Sequence, residues 1–332
     1  LEEVILALLR VSGFRTVTAP TPTDPTLSHG SSGMQVCGRA SRHQIDAIAD
    51  FRVSMPFTYP PRLLVEGKCY TGKSVGIEVI RNAIGVMKDI NEFFDPRAKP
   101  PIQRWHYQYA VFSATGFSAG AEAYAYAHDI YPVPLAHVAA LAPIVAEIQE
   151  VDEVLARHIH APLSRLRSAI RSTFGRALPP QMPGVEWDVP DQLAPLIDSI
   201  ATQMERLGGA LLARLTSGLP LFLVPPNRQA LARLLEMQHG EVRIRYARED
   251  GWWIEWRGER ILDFDLPLEV FRTHDEAGMF RRRDALGFKE EQMAELQAIY
   301  APPGVPPRII VLSLSRDWIA QMREALRHDE RD

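Results

Sequence analysis

The chain has 332 residues, 46% of them hydrophobic and 23% charged. That is enough apolar material for one large domain or two ordinary ones, and no apolar run approaches the ~18 residues of a membrane-spanning helix. The formal net charge is −4, and neither half is basic: residues 1–150 carry 13 Lys and Arg against 14 Asp and Glu, and the remainder carries 24 against 27. Any contact with nucleic acid therefore has to come from local clusters rather than from a global field.

Leu1-Glu2-Glu3 offers neither a basic start nor a small-residue cleavage site, so no signal peptide is expected. The missing initiator Met suggests that native sequence precedes it. Two cysteines, Cys37 and Cys69, make no disulfide framework, and a reducing, cytoplasmic setting is expected. Cys69 reads as a small packed side chain rather than a nucleophile.

Leu1, Val4, Ile5, Leu8 and Leu9 repeat at helical spacing and predict a helix over 1–11, with Gly13 as its C-cap. Residues 18–42, rich in Pro, Ser, Thr and Gly, read as a long loop. Strands are predicted over 43–51 and 63–70, joined by the Pro-rich stretch 56–61. A helix over 75–94, a strand over 107–115, an Ala-rich helix over 116–128 and a short strand over 130–135 follow. That order predicts a mixed α/β sheet flanked by helices. Beyond 135 the character changes. Residues 137–176 read as mostly helical, Pro179, Pro180 and Pro183 mark a linker, and 190–215 read as helical. From Leu219 onward the pattern is α+β. Turn signals at Asp250-Gly251 and Arg257-Gly258 predict a three-stranded meander over 242–265. A strand over 308–314 leads into a final helix. The expected organisation is a first domain at 1–135, a helical, basic connector at 136–185 and a C-terminal α+β region at 186–332.

The second predicted strand carries the chemistry. Residues i and i+2 of a strand point to one face, so Glu66 and Lys68 are neighbours, with Gly67 between them. A Glu-Gly-Lys after Leu63-Leu64-Val65 breaks the apolar pattern of a core strand, and such a break marks a candidate site. Asp46 on the preceding strand can bring a second carboxylate beside Glu66. Asp50 shares its face but lies four residues farther along, so only one of the two can sit opposite Glu66. Two carboxylates suit Mg²⁺, and a nearby lysine can stabilise charge on a phosphate. On spacing alone, an exposed strand face with an ion pair is the simpler explanation.

Several ordered features add weight. Leu1-Glu2-Glu3-Val4-Ile5, Leu8-Leu9 and Gly13-Phe14 are followed by His43-Gln44-Ile45-Asp46 and Leu64-Val65-Glu66-Gly67-Lys68-Cys69-Tyr70. Val75-Gly76-Ile77, Ile80-Arg81-Asn82 and Gly85-Val86 come next, then Ala110 to Ser118 with Ala121-Glu122 and Ala125. In this order, residues 1–135 resemble the Mrr-like restriction endonucleases of the PD-(D/E)XK nuclease superfamily. The resemblance implies a restriction-endonuclease-like fold and Mg²⁺-dependent hydrolysis of DNA, with Mn²⁺ able to substitute. It implies Asp46 and Glu66 as metal ligands and catalytic residues, Lys68 as the catalytic lysine, and Glu2 as an outer-sphere partner. It also implies double-stranded DNA as substrate and a role in defence against foreign DNA. Cutting both strands needs two such sites, so a homodimer is expected. The family's glycine-rich run before the aspartate is replaced here by Ser41-Arg42-His43-Gln44, which leaves two readings of His43 and Gln44: contacts to the metal's water or to DNA, or residues that simply end a loop.

A rival motif overlaps the trio. Gly67 to Ser74 matches G-x-x-x-x-G-K-S between a strand and a helix, the setting of a phosphate-binding P-loop. A chance match in such a chain is about one in a hundred. Against it, the later strands end in Ser113-Ala114-Thr115 and Pro134-Leu135 with no Asp for Mg²⁺, and Tyr70 is bulky for a backbone cradle. It also leaves Asp46 and Glu66 idle. The P-loop enzyme and a catalytically silent DNA-binding module remain the alternatives.

For gripping DNA phosphates the candidates are Arg81 and Lys88 on one face of the 75–94 helix, and the acid-free interval 154–185 with Arg157, Arg165, Arg167, Arg171 and Arg176. A basic face pairing with distant acids explains the interval equally well. Arg281-Arg282-Arg283 reads as surface charge, and Trp252 and Trp256 as core. No CxxC, HExxH or GxSxG occurs, so zinc sites and serine hydrolysis have no support.

Overall fold

The computed structural model describes residues 1–30, 33–52, 57–98, 102–158, 166, 167, 170, 171, 173, 174, 191–216, 220–237, 239–247, 249–266, 282–301, 304 and 306–329. In the N-terminal half the elements are α1 (Glu2–Val11), β1 (Phe14–Val17), β2 (Leu27–His29), β3 (Met34–Cys37), β4 (Arg42–Ile45), β5 (Ala47–Phe51), β6 (Pro61–Lys68), α2 (Ile77–Asn91), β7 (His106–Ser113), α3 (Ala119–Ala127) and β8 (Ile130–Pro134).

Five strands form the main sheet in the order β1-β5-β6-β7-β8. β5 pairs antiparallel with β1 and β6, while β6–β7 and β7–β8 are parallel. Parallel neighbours need a crossover, and α2 and α3 supply the two. Alternation along β6 sorts the two faces. Leu63 and Val65 pack with Ile5 and Leu9 of α1. Leu64 packs with Ile48 of β5 and with Ile80 and Ala83 of α2. The mixed α/β architecture expected from the element order is present.

Two expectations need correction here. The stretch 18–42, read as a loop, holds β2 and β3, which form a small antiparallel sheet with β4. Its strands are only three or four residues long, too short for alternation to show. Between β3 and β4 the chain turns at Gly38, whose N–H donates to the Ser41 carbonyl at 2.7 Å. The strand expected over 43–51 is two strands in different sheets, and the chain bends between them at Asp46. Strand β1 went unread because four residues after Gly13 carry almost no periodicity.

The core on the α1 side does not end at residue 135. Ile144, Val145 and Ile148 of α4 (Ala142–His158) belong to it, as do Ile200 and Leu207 of α5 (Ala194–Leu207). The helix expected over 190–215 stops at Leu207, where Gly208 adopts φ 75 as a left-handed cap. The chain then turns into β9.

A seven-stranded sheet follows, in the order β10-β9-β14-β15-β11-β12-β13. Its strands are β9 (Leu211–Leu215), β10 (Pro220–Leu223), β11 (His239–Ala247), β12 (Gly251–Trp256), β13 (Glu259–Phe264), β14 (Glu295–Tyr300) and β15 (Arg308–Leu314), with helices α6 (Arg228–Glu236), α7 (Arg282–Gln292) and α8 (Arg316–Asp329). β11-β12-β13 is the expected antiparallel meander. Trp252 is buried in the core of this sheet and Trp256 packs against it.

The two halves touch at specific points. Phe112 meets Phe222 edge-on at 6.2 Å between centroids, and His137 Nδ1 lies 3.0 Å from Asp265. Gly13, at φ +105, sits where a Cβ would come within 2.6 Å of the Ala301 Cβ. That position needs glycine both for its backbone conformation and for the close approach.

Candidate active site

Ladder register sets the geometry. Ala47 of β5 stands opposite Val65 of β6, so one residue farther on Asp46 comes opposite Glu66. The bend at Asp46 lets its side chain turn back to the strand end, where Oδ2 accepts the Gly67 N–H at 2.9 Å. Gly67 itself lets α1 lie close: a Cβ there would be 3.3 Å from Ile5 Cδ1 and 3.4 Å from Leu1 Cδ2. The start of α1, with Glu2, is thereby held beside the strand.

Glu66 and Lys68 share a face of β6, 19% and 24% exposed, with the Lys68 ammonium 2.5 Å from Glu66 Oε1. On the neighbouring parallel strand β7, the Tyr109 hydroxyl donates to Glu66 Oε2 at 2.9 Å. Both oxygens of Glu66 are therefore oriented. Tyr109 was absent from the sequence-based candidates, since a tyrosine in an apolar strand reads as core, and it is in fact buried.

The electrostatics are those of a carboxylate-rich, partly desolvated site. Burial pushes the Asp46 carboxyl above its usual range, and the charge of Glu66 adds to this against the opposing Gly67 hydrogen bond. Burial raises Glu2 likewise, with Arg167 opposing and Asp46 adding. For Lys68, burial works against the ammonium, but the hydrogen bond and charge of Glu66 outweigh it and raise its pKa, so it stays charged. Burial and then Glu66 push Tyr109 far above the usual phenol range, leaving it a neutral donor.

The other candidates are placed as follows. Glu2 pairs with Arg167 at 2.6 Å, and Glu3 with Arg171 at 2.8 Å. Two of the five arginines expected to grip DNA from this interval thus meet acids of the first helical turn, the ion-paired alternative, and Arg157 pairs with Glu153 at 2.9 Å. Arg165 and Arg176 lie outside the described residues. Arg81 and Lys88 are exposed on α2, with the Arg81 guanidinium 5.7 Å from the Tyr124 ring centre. Gln44 is exposed on β4, two residues before Asp46. His43 is engaged with Asp89 at 2.7 Å and anchors the 38–41 turn rather than facing the carboxylates. Asp50 bonds Arg62, at 2.6 and 3.2 Å, and does not compete for the place opposite Glu66. The Cys69 thiol is half-buried, and burial raises its pKa, as befits a packed side chain.

The P-loop motif lacks a geometric requirement. Phosphate cradles run straight into a helix N-terminus, whose amides bind the anion. Here Gly67 and Lys68 are still in β6, and the helix begins only at Ile77 with Gly76 as N-cap. A cleft of about 450 Å³ does touch Gly72, Lys73 and Ser74, but the helix that begins at its wall is α4, at Ala142, and not the helix that follows the motif.

A divalent cation fits the donor set. Asp46 and Glu66 are hard oxygen donors, and each raises the cost of ionising a neighbour that a cation would relieve. Among the described residues, no three His, Cys, Asp or Glu side chains gather as a metal site. The protein ligands would thus be two, Asp46 and Glu66, with water and phosphate oxygens completing the shell, which is the habit of Mg²⁺.

No family model matches the chain, and no curated protein matches it. Among solved structures, the chain is similar to a crystal structure of a protein of unknown function, AF1548, at 16% identity and a TM-score of 0.33, over 52% of this chain and 76% of that one. A similarity at that level carries no argument about function. No helix among the described residues is long and apolar enough to cross a membrane.

Proposed function

We propose that this chain is a Mg²⁺-dependent endonuclease that hydrolyses DNA phosphodiesters, with a restriction-endonuclease-like N-terminal domain and a role in defence against foreign DNA. One observation carries the reading: Asp46, Glu66 and Lys68 converge at the end of β6. A purely structural ion pair would need only Glu66 and Lys68. The bend at Asp46 and its bond to Gly67 bring in a second carboxylate that repels the first, at a cost in folding energy, which is the signature of a functional site.

Each residue has a role in this reading. Asp46 and Glu66 would hold the cation, which when bound would supply Lewis-acid chemistry that neutralises phosphate charge and acidifies water. Tyr109 fixes the plane of the Glu66 carboxylate. Lys68, charged and reachable, is placed to donate to a phosphate oxygen or to the attacking water. Glu2 keeps Arg167 at the margin of the site. The substrate is double-stranded DNA, and a homodimer would bring two sites to two strands.

The test is cleavage of methylated and unmethylated plasmid DNA with Mg²⁺, with Mn²⁺ or with chelator. The wild type should cut only with metal, Lys68→Ala should lose cutting and Lys73→Ala should keep it. Nucleotide-dependent activity that survives Lys68→Ala and dies with Lys73→Ala would replace this reading with the P-loop one. DNA binding without cleavage under every condition would leave a silent module.

A further inference from the structure

A second site lies at the opposite end of the same strands. Asp50 is four residues along from Asp46, roughly 13 Å at the rise of a strand. A cavity of about 620 Å³ opens there, walled by Arg10, Arg15, Arg52, Phe51, Trp105 and Gly304 of the C-terminal half. That volume is within the usual range for small-molecule sites, roughly 300–1,000 Å³.

Its charge is unlike that of the chain, whose formal net charge is −4. Among the described residues, three arginines border the cavity and one acid does, Asp50. That carboxylate is already committed, taking Arg62 Nε at 2.6 Å and Arg15 at 2.8 Å. Arg62 is itself buried and also meets Asp24 at 2.6 Å. Arg10 makes no ion pair with any described residue, and Arg15 stays 71% exposed in spite of its pair. Positive charge is therefore left over at the mouth.

The walls beneath are aromatic. Phe51 is half-buried and packs on Phe14 at 5.0 Å between centroids. Trp105 is half-buried, with Arg62 covering its ring at 3.7 Å. Its Nε1 is buried with no hydrogen-bond partner among the described residues, an unfilled donor in the wall. Guanidinium groups match phosphate in fixed, bidentate geometry, and aromatic rings take the face or edge of a base.

We infer that this cavity binds a nucleoside phosphate, the phosphate at Arg10 and Arg15 and the base against Phe51 and Trp105. Two sources share that chemistry: a free mononucleotide, or one nucleotide of a DNA strand. The inference does not depend on the Asp46 site being a nuclease.

The experiment is calorimetric titration of the full chain in chelator, which keeps metal-dependent binding out of the signal. The probes are deoxyadenosine 5′-monophosphate, deoxyadenosine, inorganic phosphate and a 5′-phosphorylated tetranucleotide. The monophosphate should bind at least about tenfold more tightly than either deoxyadenosine or phosphate alone. Arg10→Gln, on a partly exposed side chain at the end of α1, should weaken it by about tenfold with an unchanged melting temperature. Phe51→Leu should weaken the monophosphate but not inorganic phosphate. Tighter binding of the tetranucleotide, lost in the same variants, identifies a DNA strand as the source; equal or weaker binding identifies the free nucleotide. Phosphate binding as tight as the monophosphate, no binding of either nucleotide probe, or full affinity in Arg10→Gln overturns the inference.

Discussion

Asp46 and Asp50 lie four residues apart, one at the bend before β5 and one near the end of β5, and their surroundings differ in one respect that decides what each can do. Asp50 is buried and saturated: Arg62 donates to both its oxygens, Arg15 adds an ion pair, and Asp24 balances Arg62. Asp46 is pushed up by burial, takes one backbone N–H, and is repelled by the charge of Glu66 while Lys68 and Arg167 oppose that only in part, so its carboxyl stays above its usual range. A closed charge network holds a fold together. A site with surplus negative charge can take something from outside.

The sharpest way to break this contrast is to neutralise each aspartate. Asp46→Asn keeps an oxygen for Gly67 and removes a repelled charge. Metal-dependent DNA cleavage should fall by about 10³-fold or more, about 4 kcal/mol on the barrier, with the melting temperature unchanged or raised. Cleavage at the wild-type rate would show that the two aspartates are alike after all. At the closed end the loss should appear in stability. Arg62→Ala strands Asp50 and Asp24 in the interior and should destabilise by about 3–5 kcal/mol, read from denaturant unfolding. A loss under ~1 kcal/mol would mean that the network is as dispensable as a surface pair.

How much of this was legible beforehand follows from where the partners lie. α1, α2 and the apolar half of β6 announce themselves by periodicity, and strand parity alone puts Glu66 beside Lys68. That Asp46, not Asp50, faces Glu66 depends on ladder register and on a bend that composition does not mark. Arg167 and Arg171 look uncompensated in sequence because their acids, Glu2 and Glu3, are 165 and 168 residues away. Tyr109 was hidden by its apolar neighbours. The order of the seven-stranded sheet, in which β9 pairs with β14, rests on long-range pairing that no local pattern encodes.

A smaller effect tests the support of Glu66. Tyr109→Phe removes the donor to Oε2 and leaves the ring. If Tyr109 orients the carboxylate, cleavage should drop by about tenfold, the worth of one hydrogen bond to a charged group, and the metal concentration needed for half-maximal rate should rise. A drop in stability with unchanged metal dependence would make Tyr109 a core residue only.

The smallest expected effect is in the pH dependence of folding, and it is the one most specific to a surplus of carboxylates. Asp46 and Glu2 have folded-state pKa values raised above their unfolded ones. Below the ordinary values of 3.8 and 4.5 both states are protonated and nothing is lost. As pH rises from there through the raised values, the folded state holds more protons than the unfolded one, so these groups subtract stability. A paired carboxylate has the opposite sign and adds stability on the same rise. Asp46→Asn should therefore lessen the decline, making the variant more stable than the wild type above this window and indistinguishable from it below. Mg²⁺ should do the same for the wild type by binding the ionised form, raising its melting temperature at neutral pH, and should do so less for Asp46→Asn. Equal responses to Mg²⁺ in both proteins would remove Asp46 from the cation's ligands even if cleavage were lost.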